Sequence, residues 1–89
     1  WRNPGRAARW YRKAAEQGYA RAQFALGKVL AQGKLVEQDA EAAFRWLTLA
    51  IMNDSEPAQQ ELALLTARID SETLQHYKDR MLSAMQQRH

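Results

Sequence analysis

AARWYRKAAEQGYARAQFALGKVLAQG, the stretch from Ala7 to Gly33, decides the fold because the chain echoes it 36 residues later. Ala7, Arg9, Trp10, Ala14, Ala22, Gln23 and Leu26 line up with Ala43, Arg45, Trp46, Ala50, Ala58, Gln59 and Leu62. A period in the 30s marks a stacked helical hairpin, a unit that buries its apolar face only against its neighbours. Chains built this way are usually binding surfaces rather than catalysts.

Outward from this stretch, the helix boundaries follow from capping residues. Asn3 suits an N-cap and Pro4 the first helical position, where its missing N–H costs nothing. The first helix is expected to run to Gln17 and stop at Gly18, whose freedom at positive φ suits the residue after a helix. A second runs from Tyr19 or Ala20 to Gln32 and is closed by Gly33. Asp39, one period after Asn3, caps a third that reaches Met52. Asn53, Asp54 and Ser55 form the next turn; Ser55 caps a fourth helix, which carries Pro57 in its first turn and ends near Ile69. Asp70 and Ser71 open a fifth, from Glu72 to Gln87.

At about 100° per residue the first helix sorts into two faces. Ala7, Ala8, Trp10, Tyr11, Ala14 and Ala15 share one, and Arg6, Arg9 and Lys13 share the other, with Arg12 at the edge. The fifth helix gathers Leu74, Tyr77, Met81, Leu82 and Met85 on one stripe. It has no counterpart one period earlier, so it reads as a cap shielding the last repeat from water. The expected architecture is a single all-α domain over 1–89, an α-solenoid of two helix-turn-helix repeats of 36 residues plus a C-terminal capping helix. Repeat 1 is 3–38, a degenerate repeat 2 is 39–69, and the capping helix is 70–89.

Composition agrees. A hydrophobic content of 46% is ordinary for a globular chain, and there is no cysteine for disulfides or thiolate metal sites. No apolar run approaches the roughly 18 residues that span a bilayer. The chain opens on Trp1 rather than Met and is expected to be a piece of a longer protein, where any leader or anchor would lie. The net charge of +3 conceals a polarity: residues 1–34 carry eight Lys/Arg against one acid, a net +7, and residues 35–89 carry five against nine, a net −4.

The pattern A-x-x-W-Y-x-x-A-A-x-x-G-x-x-x-A-x-x-x-L-G-x-x-x-x-x-G resembles the Sel-one-like repeat family, a branch of the tetratricopeptide-like superfamily. Trp10, Tyr11, Ala14, Ala15, Gly18, Ala22, Leu26, Gly27 and Gly33 match it. The second copy keeps Trp46, Ala50, Ala58 and Leu62. It departs at Leu47 for Tyr, Ile51 for Ala, Asp54 for Gly and Ala63 for Gly27. Small residues at Ala14, Ala15, Ala22, Ala50 and Ala58 let helices approach closely, Gly27 removes a Cβ at a crossing, and Trp10 and Trp46 are expected to fill the wedges between hairpins as core. The resemblance implies a bacterial protein, slightly favours the cell envelope or periplasm, and implies that first helices line the concave binding side.

A search for chemistry finds little. His76 and His89 lie 13 residues apart without a metal-binding spacing, and Ser55, Ser71 and Ser83 lack a nucleophile's context. No glycine-rich loop precedes a helix as a phosphate cradle requires. The expectation is no enzyme, no metal, no cofactor and no small-molecule substrate. What remains is surface. One period on from Arg6, Arg9, Lys13 and Glu16 stand Ala42, Arg45, Leu49 and Met52, so a polar helix face becomes largely apolar. Either the fifth helix, the favoured choice, or a partner should cover Leu49 and Met52.

Candidate partner-binding residues are therefore Arg6, Arg9, Arg12, Lys13, Arg45, Leu49 and Met52. The leading expectation is a scaffold that binds an acidic or amphipathic protein by electrostatic steering and then apolar docking; the bland alternative is that the basic stripe is a solvated face. A second function is binding of a polyanion, an acidic polysaccharide or nucleic acid, through the basic N-terminal segment. Against it stands the assignment of the aromatics to the core, which leaves no stacking platform. A third is self-association of the basic end with the acidic end of a neighbour.

Overall fold

Five helices and no strand make up the described residues: α1 (Pro4–Glu16), α2 (Ala20–Gln32), α3 (Ala40–Met52), α4 (Glu56–Thr66) and α5 (Ser71–Gln86). The computed structural model describes the backbone of residues 4–34 and 37–87 and the side chains of 9–34 and 37–87. Asn3 as first cap, the side chains of Arg6, Ala7 and Ala8, and His89 lie outside the described residues.

The 36-residue echo is carried into the backbone. At the end of α1, the N–H groups of Gln17, Gly18 and Tyr19 donate to the carbonyls of Ala14, Ala15 and Ala14. At the end of α3, those of Asn53, Asp54 and Ser55 donate to Ala50, Ile51 and Ala50, one period on. Gly18 takes φ +95°, and Asp54 takes φ +71° in its place. The second turn thus keeps the left-handed residue although it has lost the glycine; aspartate is among the side chains that tolerate this region.

Side-chain caps open two helices. The Asp39 carboxylate accepts from the Ala42 N–H at 3.0 Å, and Asp70 accepts from the Thr73 N–H at 2.9 Å. The Thr73 hydroxyl and then its N–H hold the exposed Asp70 carboxyl below its ordinary pKa by stabilising the anion. Ser55, expected to cap α4, makes no side-chain cap bond; Glu56 and Pro57 begin that helix without one. Helix α4 ends at Thr66, three residues before Ile69, in a turn closed by the N–H groups of Ala67, Arg68 and Ile69.

The core lies where the hairpins stack. Ala15, Leu26, Leu30, Ala31, Ala43, Leu47, Ala50 and Ala58 are buried, and α2 touches α3 more extensively than it touches α1. Gly27 sits at this crossing: a β-carbon there would stand 2.7 Å from Leu47 Cγ, so only hydrogen fits. Buried Gln23 joins the hairpins by hydrogen bonds. Its Nε2 donates to the Ala15 carbonyl at 3.1 Å, and its Oε1 accepts from Asn53 Nδ2 at 2.9 Å. Both polar ends of the side chain are satisfied, which removes the penalty of burying an amide.

The two tryptophans part company. Trp46, expected to be core, is half-buried and packs against the core. Trp10, expected to be core, is 73% exposed. Among the described residues α1 packs chiefly against α2, and the Trp10 indole stands outside that contact.

Candidate interaction surfaces

Two surfaces stand out. The first lies at the C-terminal half of α1, where Arg9, Arg12, Lys13 and Glu16 share a shallow cleft of about 710 Å³ with Trp10 and Tyr19. Tyr19, at the α1–α2 turn, is 61% exposed. Among the described residues the salt bridges are Glu41–Arg45 at 3.8 Å and Glu41–Arg80 at 3.0 Å, so the α1 cations take no part in them. Cations beside two aromatic rings form a surface that attracts carboxylates and offers apolar area at the same place. Sequence reasoning put Trp10 in the core and gave Tyr19 no part in any surface; the exposed aromatics undo the objection that no stacking platform exists.

The second surface is an apolar cleft of about 680 Å³ between α3, α4 and α5. Ile51 and Met52 of α3, Leu62 and Ala63 of α4, and Leu82 and Met85 of α5 line it, with Lys78 as its only charged residue among those described. The geometry of α5 creates it. As far as Met81, α5 is held to α3: Tyr77 meets Phe44 with ring centroids 6.1 Å apart, Met81 is buried, and Arg80 reaches Glu41. Beyond Met81 the helix stands off, leaving Leu82 and Met85 exposed.

The residues singled out from sequence are distributed between these places. Arg9, Arg12 and Lys13 share the first surface. Met52 lies at the second and is 59% exposed, beneath a fifth helix that lines the cleft with it without covering it. Leu49 is half-buried against the core. Arg45 lies between the two, paired with Glu41, which it shares with Arg80. The α4 and α5 residues of the second cleft were not foreseen as a surface; the loss of glycine at Ala63 was the available signal.

The stacked hairpins, the glycine crossing and the left-handed turns agree with one family pattern: the Sel1 repeat matches residues 2–19 and 20–55. The chain belongs to the Sel1 repeat family. The two matched segments meet at the α1–α2 turn, and the second runs through α2 and α3, the pair in closest contact. The crystal structure of a Sel1 repeat protein from Oxalobacter formigenes is similar, with 33% sequence identity and a TM-score of 0.64 over 89% of this chain. The chain spans 35% of the length of that bacterial protein. No curated protein matches it. Sel1 repeats generally mediate contacts between proteins. Among the described residues no helix is long and apolar enough to cross a membrane, and no group of three His, Cys, Asp or Glu side chains is placed to hold a metal ion.

Proposed function

We propose that the chain is a non-catalytic scaffold whose first-helix surface binds an acidic or amphipathic protein partner. Arg9, Arg12 and Lys13 of α1, joined by Arg6 in the sequence pattern, steer the partner. Trp10 and Tyr19 give it apolar area beside the charges, and the row continues through Arg45, Leu49 and Met52 of α3. The observation that carries this reading is the convergence of three cations and two exposed rings on one cleft at the end of α1. Charge of one sign raises the encounter rate, and desolvated aromatic contact then slows release.

The test compares wild type with Arg9→Glu/Lys13→Glu after circular dichroism has established equal helicity. The proteins captured by each from the source cell are identified, and the leading acidic candidate is titrated against both. Binding lost in the double variant is the expected result. Equal affinity for both would refute the first-helix surface as the site.

The exposed rings also favour a second reading, a polyanion held by the same cations with stacking on Trp10 and Tyr19. Counterion release would then give a steep fall of log affinity against log salt. Binding of an oligonucleotide or a sulfated polysaccharide that survives about half-molar salt would count against it.

A further inference from the structure

Beyond partner binding on the first helices, the repeat register shows that this chain carries both halves of one interface, each exposed. Within the molecule the interface is closed: α2 presents Gln23, Leu26, Gly27 and Leu30 to α3, which answers with Leu47 and the half-buried Trp46. One period later the α2 residues become Gln59, Leu62, Ala63 and Thr66, and all four line the open cleft beside α5. One period earlier Trp46 and Leu47 become Trp10 and Tyr11, which are exposed on α1.

Helix α5 does not complete the seat. The connector from α4 is Ala67–Asp70, four residues, whereas the one from α2 to α3 is Gly33–Asp39, seven. Helix α5 therefore begins early, at Ser71. The residue one period after Leu47 is Ser83, which is polar and exposed and cannot plug the crossing over Ala63.

We propose that a second copy of the chain fills this cleft with its α1, placing Tyr11 over Ala63 as Leu47 is placed over Gly27, with Trp10 beside it at the position of Trp46. The contact is head-to-tail: a donor face on α1 and an acceptor face on α4, on opposite ends of the stack. At long range charge favours the same pairing, with +7 on residues 1–34 against −4 on residues 35–89, whereas the contact itself is apolar and its one charged lining residue is Lys78. Because the two faces differ, a single contact leaves a free face on each copy, and the assembly continues beyond a dimer, as an open array or, where the rotation closes, a ring. Stacked copies would align their first helices in one row; because Trp10 also lines the cleft with Arg9 and Lys13, a seated copy and a protein partner compete for that ring. Ala63 adds a methyl where Gly27 has none, so the approach is less close than the internal one. The association belongs to the weak, transient class that small interfaces form.

Sedimentation velocity over concentrations up to about 1 mM, the range of weak complexes, tests the assembly. Wild type should sediment faster as concentration rises, and less so at high salt. Trp10→Ala removes the donor face and Ala63→Arg blocks the acceptor face; both positions are exposed, so helicity should be preserved. Each variant alone should remain monomeric over the whole range. Their mixture should give a 1:1 dimer and nothing larger, because each supplies the face the other lacks.

The described residues contain no cysteine. Tyr11→Cys mixed with Ala63→Cys should therefore form a mixed disulfide under oxidised glutathione, faster than either forms with itself. A wild type that stays monomeric throughout would overturn the proposal. So would variants that associate as wild type does, or a mixture that stays monomeric and forms no preferred mixed disulfide.

Discussion

Gly27→Ala probes the crossing on which the stack of hairpins depends. A β-carbon at this position would meet Leu47 Cγ at 2.7 Å, Cδ2 at 2.9 Å and the Leu47 backbone nitrogen at 3.3 Å. Cγ is the branch point of a fully buried side chain, so relief requires α2 and α3 to separate or Leu47 to leave its rotamer. Overpacking of this kind costs about 1–3 kcal/mol. Against it, alanine is favoured over glycine inside a helix by about 1 kcal/mol. The expected net loss is about 0–2 kcal/mol, centred near 1 kcal/mol, small enough to leave the domain folded and measurable.

Urea unfolding followed by circular dichroism reads that loss. With a slope of about 1–1.5 kcal/mol per molar for a chain of this size, the midpoint should fall by roughly 1 M. Ala63 supplies the internal control, since it holds the same repeat position on an exposed stretch of α4. Ala63→Gly should lose about 0.5–1 kcal/mol through helix propensity alone. In the Gly27→Ala background, Leu47→Ala should cost less than it does in wild type, because the new methyl occupies part of the space it opens. A Gly27→Ala midpoint above wild type, with an unchanged slope, would refute the close crossing and with it the reason given for glycine.

Trp46→Ala should cost about 2–4 kcal/mol, below the full value for a buried tryptophan because Trp46 is only half-buried. Trp10→Ala should cost less than about 0.5 kcal/mol, as expected of an exposed side chain; equal melting shifts for the two would contradict their different environments. Asp54→Gly should stabilise by about 0.5–1 kcal/mol by relieving a left-handed aspartate, and a lower melting temperature would argue against φ of +71° at that turn. The Asp70 carboxyl should titrate below its ordinary value of 3.8, because the Thr73 hydroxyl and N–H stabilise the anion. A depressed carboxylate contributes stability above its unfolded pKa and loses it as pH falls through the folded one. Asp70→Asn should therefore flatten the fall in stability below about pH 4, and an unchanged acid profile would contradict the assignment.

Much of the fold was legible because its determinants are local. The period placed four helices and the Asp70 cap with its apolar stripe the fifth, Gly18, Gly33 and Asp39 marked helix boundaries, and Gly27 announced a close crossing that the structure places under Leu47. The cationic stripe was equally legible, since Arg9, Arg12 and Lys13 avoid burial whatever stands nearby. Less visible were the end of α4, closed by backbone bonds from Ala67, Arg68 and Ile69, and the silent Ser55 cap. The turn at Asp54 looked degenerate in letters but keeps its geometry, because backbone hydrogen bonds rather than the missing glycine define it.

Trp10 and Trp46 draw the boundary most clearly. They stand in nearly the same local sequence, Ala-x-Arg-Trp in one and Phe-Arg-Trp in the other, yet one is exposed and one half-buried. The amino-acid sequence by itself determined that both belong to an apolar helix face, since periodicity depends only on 3.6 residues per turn. Tertiary structure alone decided which face is covered. Burial depends on whether another hairpin lies within contact distance, and no local pattern encodes that. The same holds for α5, whose apolar stripe was readable but whose placement after a four-residue connector leaves a cleft where a complete cap would have left none.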